Sequence, residues 1–132
     1  MKEILNRIKE MVNVLKVEEK HADLFFIRID KEQLVMALSF LKYNLEFKHL
    51  AFLQAVDYLE DKQFMLTYML YNPNLKVNLG VNVFIDREEH SMFSIHQLWA
   101  HAWQYQRELH EMFGIDFPDS PRVNEAFILE SW

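Results

Sequence analysis

The chain has 132 residues, a net charge of −6 and no cysteine, and 51% of it is apolar against 26% charged. That balance suits one globular domain with a real core. The missing cysteines exclude disulfides, thiolate nucleophiles and Cys-ligated zinc or iron–sulfur clusters. The acidic balance, with no Lys/Arg cluster, argues against nucleic acid and against direct binding to anionic lipid.

Ile4, Leu5, Ile8, Met11, Val12 and Leu15 recur at helical spacing among Lys, Glu, Arg and Asn, which predicts an amphipathic helix over residues 2–16. The opening MKEILNR lacks the apolar run of a signal peptide, and no stretch approaches roughly 20 apolar residues, so no membrane span is expected. Leu24 to Ile29 (LFFIRI) reads as a strand, and Asp30 as the N-cap of a second helix marked by Leu34, Val35, Leu38, Leu41 and Leu45. Three further strands follow, at residues 50–59, 64–71 and 77–85. Their connectors, Glu60-Asp61-Lys62 and Asn72-Pro73-Asn74, are short and polar, so the three form an antiparallel meander. In the last of them Val77, Leu79, Val81, Val83 and Ile85 alternate with Asn78, Gly80, Asn82 and Phe84, which places one face in the core and leaves the other partly polar.

Helical spacing returns over residues 95–113, with Leu98, Ala102, Tyr105, Leu109 and Met112 on one stripe widened by Trp99, Trp103 and Phe113. Gly114 stands where a left-handed cap belongs. The expected order is α-β-α-β-β-β-α, an α+β fold with helices on a largely antiparallel sheet. Residues 1–114 form the single domain, and residues 115–132 an extended tail. That tail has Pro118, Pro121 and no helical period, yet carries Phe117, Phe127, Ile128, Leu129 and Trp132. Such side chains have to be buried, either on their own domain or on another chain.

Candidate chemistry is thin. His96, His101 and His110 all fall on the expected last helix but are spaced by five and nine residues, not the three or four that would put two imidazoles on one face. Glu108 and Glu111 have that spacing and could act as an acid–base pair in a closed cleft, but Arg107 lies four residues before Glu111, and a charge-paired helix face accounts for the same residues. Gly80 and Gly114, the only glycines, cannot build a phosphate-cradling loop, and Ser91 and Ser94 lack a nucleophile-elbow context.

Residues 102–115 read AWQYQRELHEMFGI. This resembles the signature of the 30 kDa subunit family of respiratory complex I (the C-type subunit of NADH-quinone oxidoreductase), a pattern close to A-x-W-x-E-R-E-x-x-D-[ML]-F-G-[IV]. Arg107, Glu108, Met112, Phe113, Gly114 and Ile115 match it. Gln106 stands where the family has Glu, and Glu111 where it has Asp. Asp57-Tyr58 and Ser94-Ile95 look like further family positions. Phe117 and Pro121 resemble the F-x-G-H-P segment, with Asp119-Ser120 in place of Gly-His. The family's basic L-R-R-I-L is absent: the chain runs from Arg122 through Phe127, Ile128 and Leu129 to Trp132. This ending looks more like the equivalent subunit of membrane-bound, energy-converting [NiFe] hydrogenases and related ferredoxin-linked complexes.

The resemblance implies a non-catalytic subunit of the peripheral electron-transfer arm of a membrane-bound, ion-translocating oxidoreductase. It would carry no cofactor itself. Iron–sulfur clusters, and in the hydrogenase branch a [NiFe] centre, would belong to its partners: a large subunit of [NiFe] or quinone-site type and an iron–sulfur small subunit. The membrane would be reached only through the complex, on the cytoplasmic side. Arg107 and Glu108 would sit in partly buried pairs. Gln106, Glu111, Met112, Phe113 and Ile115 would complete the motif, and Gly114 would launch the tail across the interface.

Overall fold

The computed structural model describes residues 2–118. The helices are α1 (Lys2–Met11), α2 (Leu34–Asn44) and α3 (Ala102–Phe113), and the strands are β1 (Lys16–His21), β2 (Leu24–Arg28), β3 (His49–Tyr58), β4 (Gln63–Asn72) and β5 (Val77–Asp86). The five strands make one sheet in the order β1-β2-β5-β4-β3. The meander β3-β4-β5 is antiparallel as expected, but β2 pairs with β5 in parallel, Phe25 opposite Leu79 and Ile27 opposite Val81.

The registers put Phe25 and Ile27, then Leu79, Val81, Val83 and Ile85, then Phe64, Leu66, Tyr68 and Leu70 on one face. These residues form one core with Leu5 and Ile8 of α1, Leu34, Leu38 and Leu41 of α2, and Ala102 and Leu109 of α3. The apolar face of each helix is therefore covered by the same side of the sheet, the α+β arrangement the element order implied.

Two boundaries differ from expectation. The first helix stops at Met11, and Leu15, although helically spaced, instead donates its N–H to the Arg28 carbonyl at 2.7 Å. Residues 16–21 (KVEEKH) then form an edge strand whose only apolar side chain is Val17. Five charged or titratable residues in six give no strand signal. Placing charge on a sheet edge is nonetheless how native sheets discourage further pairing. The second difference is the stretch 95–101, which is turns and not helix. His96 lies in those turns, and His101 occupies the N-cap position of α3, so of the three histidines only His110 is on the helix.

One helical acceptor is diverted here: the Leu98 carbonyl goes to a side chain, and the Ala102 N–H that would meet it in a continuous helix bonds the Trp99 carbonyl at 2.9 Å instead. Gln106 Oε1 accepts the Ile95 N–H at 3.0 Å, and Ser94 Oγ accepts the His96 N–H at 3.3 Å. The Lys42 ammonium takes the Leu98 carbonyl, and the Lys31 ammonium takes that of Ser91 at 2.8 Å. Lys42 also lies 5.3 Å from the centre of the Trp99 ring, within cation–π range.

Candidate functional site: the α3 clasp

The expected motif residues separate into a buried and an exposed set around α3. Gln106 is fully buried; besides accepting from Ile95, its Nε2 donates to Ser94 Oγ at 2.9 Å. With Gln106 as donor, the Ser94 hydroxyl hydrogen is free for His96 Nδ1, 2.8 Å away. Arg107 is also buried, its guanidinium 4.9 Å from the centre of the Trp103 ring. Trp103, Gln106 and Arg107 make further contacts besides these. Glu108, Glu111 and Met112 lie on the exposed side, and Met112 is 72% accessible. Of the two residues expected in partly buried pairs, Arg107 is buried and Glu108 lies on the exposed side of α3. Phe113 packs edge-on against Phe64, ring centres 5.6 Å apart, and ties the end of α3 to the sheet.

Gly114 has φ +72°, ψ 16° and donates its N–H to the His110 carbonyl at 2.8 Å. This is the left-handed cap the sequence called for, at a φ that glycine adopts without strain. The chain then turns inward. Ile115 and Phe117 are buried, and Asp116 forms a parallel bridge with Ser91, its N–H donated to the His90 carbonyl and its carbonyl accepting from Met92. The Asp116 carboxylate lies 3.4 Å from His90 Nδ1 and 3.5 Å from His110 Nδ1, while His110 Nδ1 also donates to the Ile115 carbonyl at 3.0 Å.

At its other end α3 is moored to β3 through backbone carbonyls. Trp99 Nε1 donates to Lys48 O at 2.8 Å, His101 Nε2 to Leu50 O at 3.0 Å, and Tyr105 Oη to Ala51 O at 3.0 Å. Asp57 and Arg87 form a bidentate pair at 3.0 and 3.1 Å, and that hydrogen bonding raises the Arg87 pKa further. Tyr58 sits beside Phe84 on the other face of the sheet.

This arrangement holds two segments, 91–101 and 114–117, against a helix and sets the Asp116 carboxylate between His90 and His110. Glu108 and Glu111 do not converge on His110, whose carboxylate neighbour is Asp116. The Ser94 hydroxyl is buried and engaged. Among the described residues no group of three or more His, Asp or Glu could hold a metal ion, and no helix is long and apolar enough to cross a membrane. Phe127, Leu129 and Trp132 lie outside the described residues. Asp116 and His90 were missed as parts of the clasp, whereas Ser94 was already marked as a family position ahead of the helix. Only the placement of Asp116 two residues past a capping glycine hinted at a role, because its partners come from a segment 25 residues away.

A mixed five-stranded sheet covered by helices on one side, with α3 clasping the segments that flank it, defines the fold. Residues 27–132 match the model of the respiratory-chain NADH dehydrogenase 30 kDa subunit, and the chain belongs to that family. It is 31% identical over 107 residues to the C-type subunit of the NADH-quinone oxidoreductase of Citrifermentans bemidjiense, an alignment covering 80% of this chain and 66% of that one. It is 32% identical over 129 residues to the C/D-type subunit of the NADH-quinone oxidoreductase of a Hydrogenobaculum species, covering 97% of this chain but 22% of that longer protein. Its fold is that of a chain in the membrane-bound sulfane sulfur reductase, an archaeal respiratory membrane complex, with a TM-score of 0.82 at 21% identity over 98% of this chain and 77% of that one.

Proposed function

We propose that this chain is a cofactor-free structural subunit of the peripheral arm of a membrane-bound, ion-translocating oxidoreductase. One observation carries the reading: the family motif folds into a clasp whose buried members, Gln106 and Arg107, hold chain segments while its carboxylates stay apart and exposed. The absence of cysteine from the sequence supports placing the iron–sulfur clusters in partner subunits. A relative named as a C/D protein supports a large subunit of the D type as the neighbour.

Two branches share this role. The tail sequence favours the energy-converting [NiFe] hydrogenase or ferredoxin-linked branch, and the fold likeness to the archaeal sulfur-reducing complex agrees with it. The names of the sequence relatives favour the C-type subunit of an NADH-quinone oxidoreductase. In either branch the subunit sits on the cytoplasmic side and meets the membrane only through the complex. Ile115 and Phe117 are held in this chain's own core, and the tail beyond them, with Phe127, Leu129 and Trp132, packs on the large subunit. The exposed Glu108, Glu111 and Met112 beside the clasp belong to the same contact.

A mild-detergent pull-down of the tagged chain from native membranes, read by mass spectrometry, tests the proposal. Recovery with an iron–sulfur small subunit and a large subunit supports it, and the identity of the large subunit, [NiFe] or quinone-site, decides the branch. Recovery of the chain alone overturns it. Gly114→Val refines the tail role. A Cβ here meets nothing within 4 Å, so the change acts only through the positive φ, at a cost of about 1–2 kcal/mol. Complex yield should fall more than the stability of the isolated chain, and an unchanged yield would remove the tail from the interface.

A further inference from the structure

The face of the sheet turned away from the helices carries large apolar side chains outside the main core cluster, set among Gln54, Thr67, Asn78 and Asn82. The registers place Phe26, Phe84, Met65, Met69, Phe52 and Tyr58 there, and none joins the core cluster. Tyr58 and Phe84 pack with ring centres 5.8 Å apart, and a cleft of about 200 Å³ runs over this aromatic floor, bounded by Lys16 and Arg28. A solvated antiparallel face normally alternates to polar side chains; here Thr67 and Asn82 supply them, and the aromatic and Met row beside them is the excess apolar surface.

The charges on its rim identify the cover. Lys16 and Arg28 are directly opposite one another in the β1–β2 pair, a placement of like charges that destabilises a sheet left on its own. The Arg28 guanidinium rests 5.3 Å from the centre of the Phe84 ring and is in no ion pair among the described residues. Glu18, the one carboxylate bordering the cleft, is engaged elsewhere: it pairs with Lys20 at 2.9 Å, and chiefly that hydrogen bond holds its pKa below the ordinary value. In a chain of net charge −6, this cleft is lined by two adjacent cations, Lys16 and Arg28, and by one carboxylate, Glu18, which feels the Lys16 charge but is hydrogen-bonded to Lys20.

We infer that this open face docks an apolar segment of a partner subunit that inserts an Asp or Glu carboxylate between Arg28 and Lys16. The aromatic floor takes the segment's aliphatic side chains, and the planar guanidinium, already aligned by Phe84, receives the carboxylate in bidentate fashion. This docking rests on the proposed role within a larger complex and adds a second contact, distinct from the α3 clasp.

The test uses the tagged full chain in its native membranes. Zero-length carbodiimide coupling of the assembled complex should join Lys16 to an Asp or Glu of another subunit, and radical footprinting should show Met65 oxidation falling about fivefold from free chain to complex. Arg28→Glu places an acid opposite Lys16, a favourable cross-strand pair, so the isolated variant should melt no lower than the parent while partner recovery drops about tenfold. Equal loss of melting temperature and recovery would make Arg28 merely structural and overturn the inference. So would a complex that assembles normally with Met65 still open to oxidation; in that case the subunit role stands and only this docking face fails. Failure of the parent chain to co-purify with any subunit would remove both.

Discussion

The two faces of the sheet both carry large apolar side chains, yet they do different work. On one, Phe25, Leu66, Tyr68 and Val81 are fully buried under α1, α2 and α3. On the other, Phe26, Met65 and Phe84 are only partly buried, over strands shared with the first face. Burial within the chain stabilises the fold, whereas an apolar face left open contributes little until something covers it. The difference shows that hydrophobicity along a strand does not by itself say which contacts are internal.

Paired substitutions measure the gap most directly. Leu66→Ala on the covered face should cost about 3 kcal/mol, while Phe84→Ala should cost about 1 kcal/mol or less. Urea unfolding of the isolated chain checks this, and equal costs would mean that the open face is part of the core. A smaller effect is expected at Gly80, where a Cβ would meet Phe26 ring carbons at 2.3 and 2.5 Å. Because that ring borders an open face it can swing outward, so Gly80→Ala should cost about 1 kcal/mol, the low end of overpacking. In a Phe26→Ala background the same change should cost almost nothing; full additivity would show that Phe26 does not need the glycine.

The smallest change concerns the covered face itself. The Tyr68 hydroxyl is buried without a hydrogen-bond partner among the described residues, and burial pushes its pKa strongly upward from the ordinary 10.0. Tyr68→Phe should therefore be neutral or stabilising by up to about 1 kcal/mol. The sign with pH follows from the raised folded value: the Tyr68 contribution is complete below the ordinary phenol pKa and is lost as pH rises above it, because only the unfolded chain readily releases the proton. The Phe variant should lose that part of the alkaline slope in thermal melts between pH 9 and about 11.

Much of this was legible in local pattern. The alternation from Val77 to Ile85 foretold which side chains of β5 face the core. Polar connectors foretold the meander, and Gly114 the helix end. The motif from Arg107 to Ile115 foretold the family. The candidate site was legible as a segment but not as an arrangement. Nothing in QRE says that Gln106 and Arg107 go inward and Glu108 outward, since that depends on which stripe of α3 meets β3 and the segment at 91–101.

The sequence alone determined the residues that would be strongly apolar or conformationally constrained, because periodicity and a glycine's freedom at positive φ are properties of the chain itself. Only the tertiary structure decided the rest, through partners distant in sequence. KVEEKH became a strand because Leu24–Arg28 offered it a ladder. Residues 95–101 stayed out of the helix where Lys42, distant in sequence, took the Leu98 carbonyl. Strand β2 met β5 in parallel across a long crossover. The open face likewise follows from where the helices packed: all three cover one side of the sheet, and the cations opposite each other on β1 and β2 are left on the other.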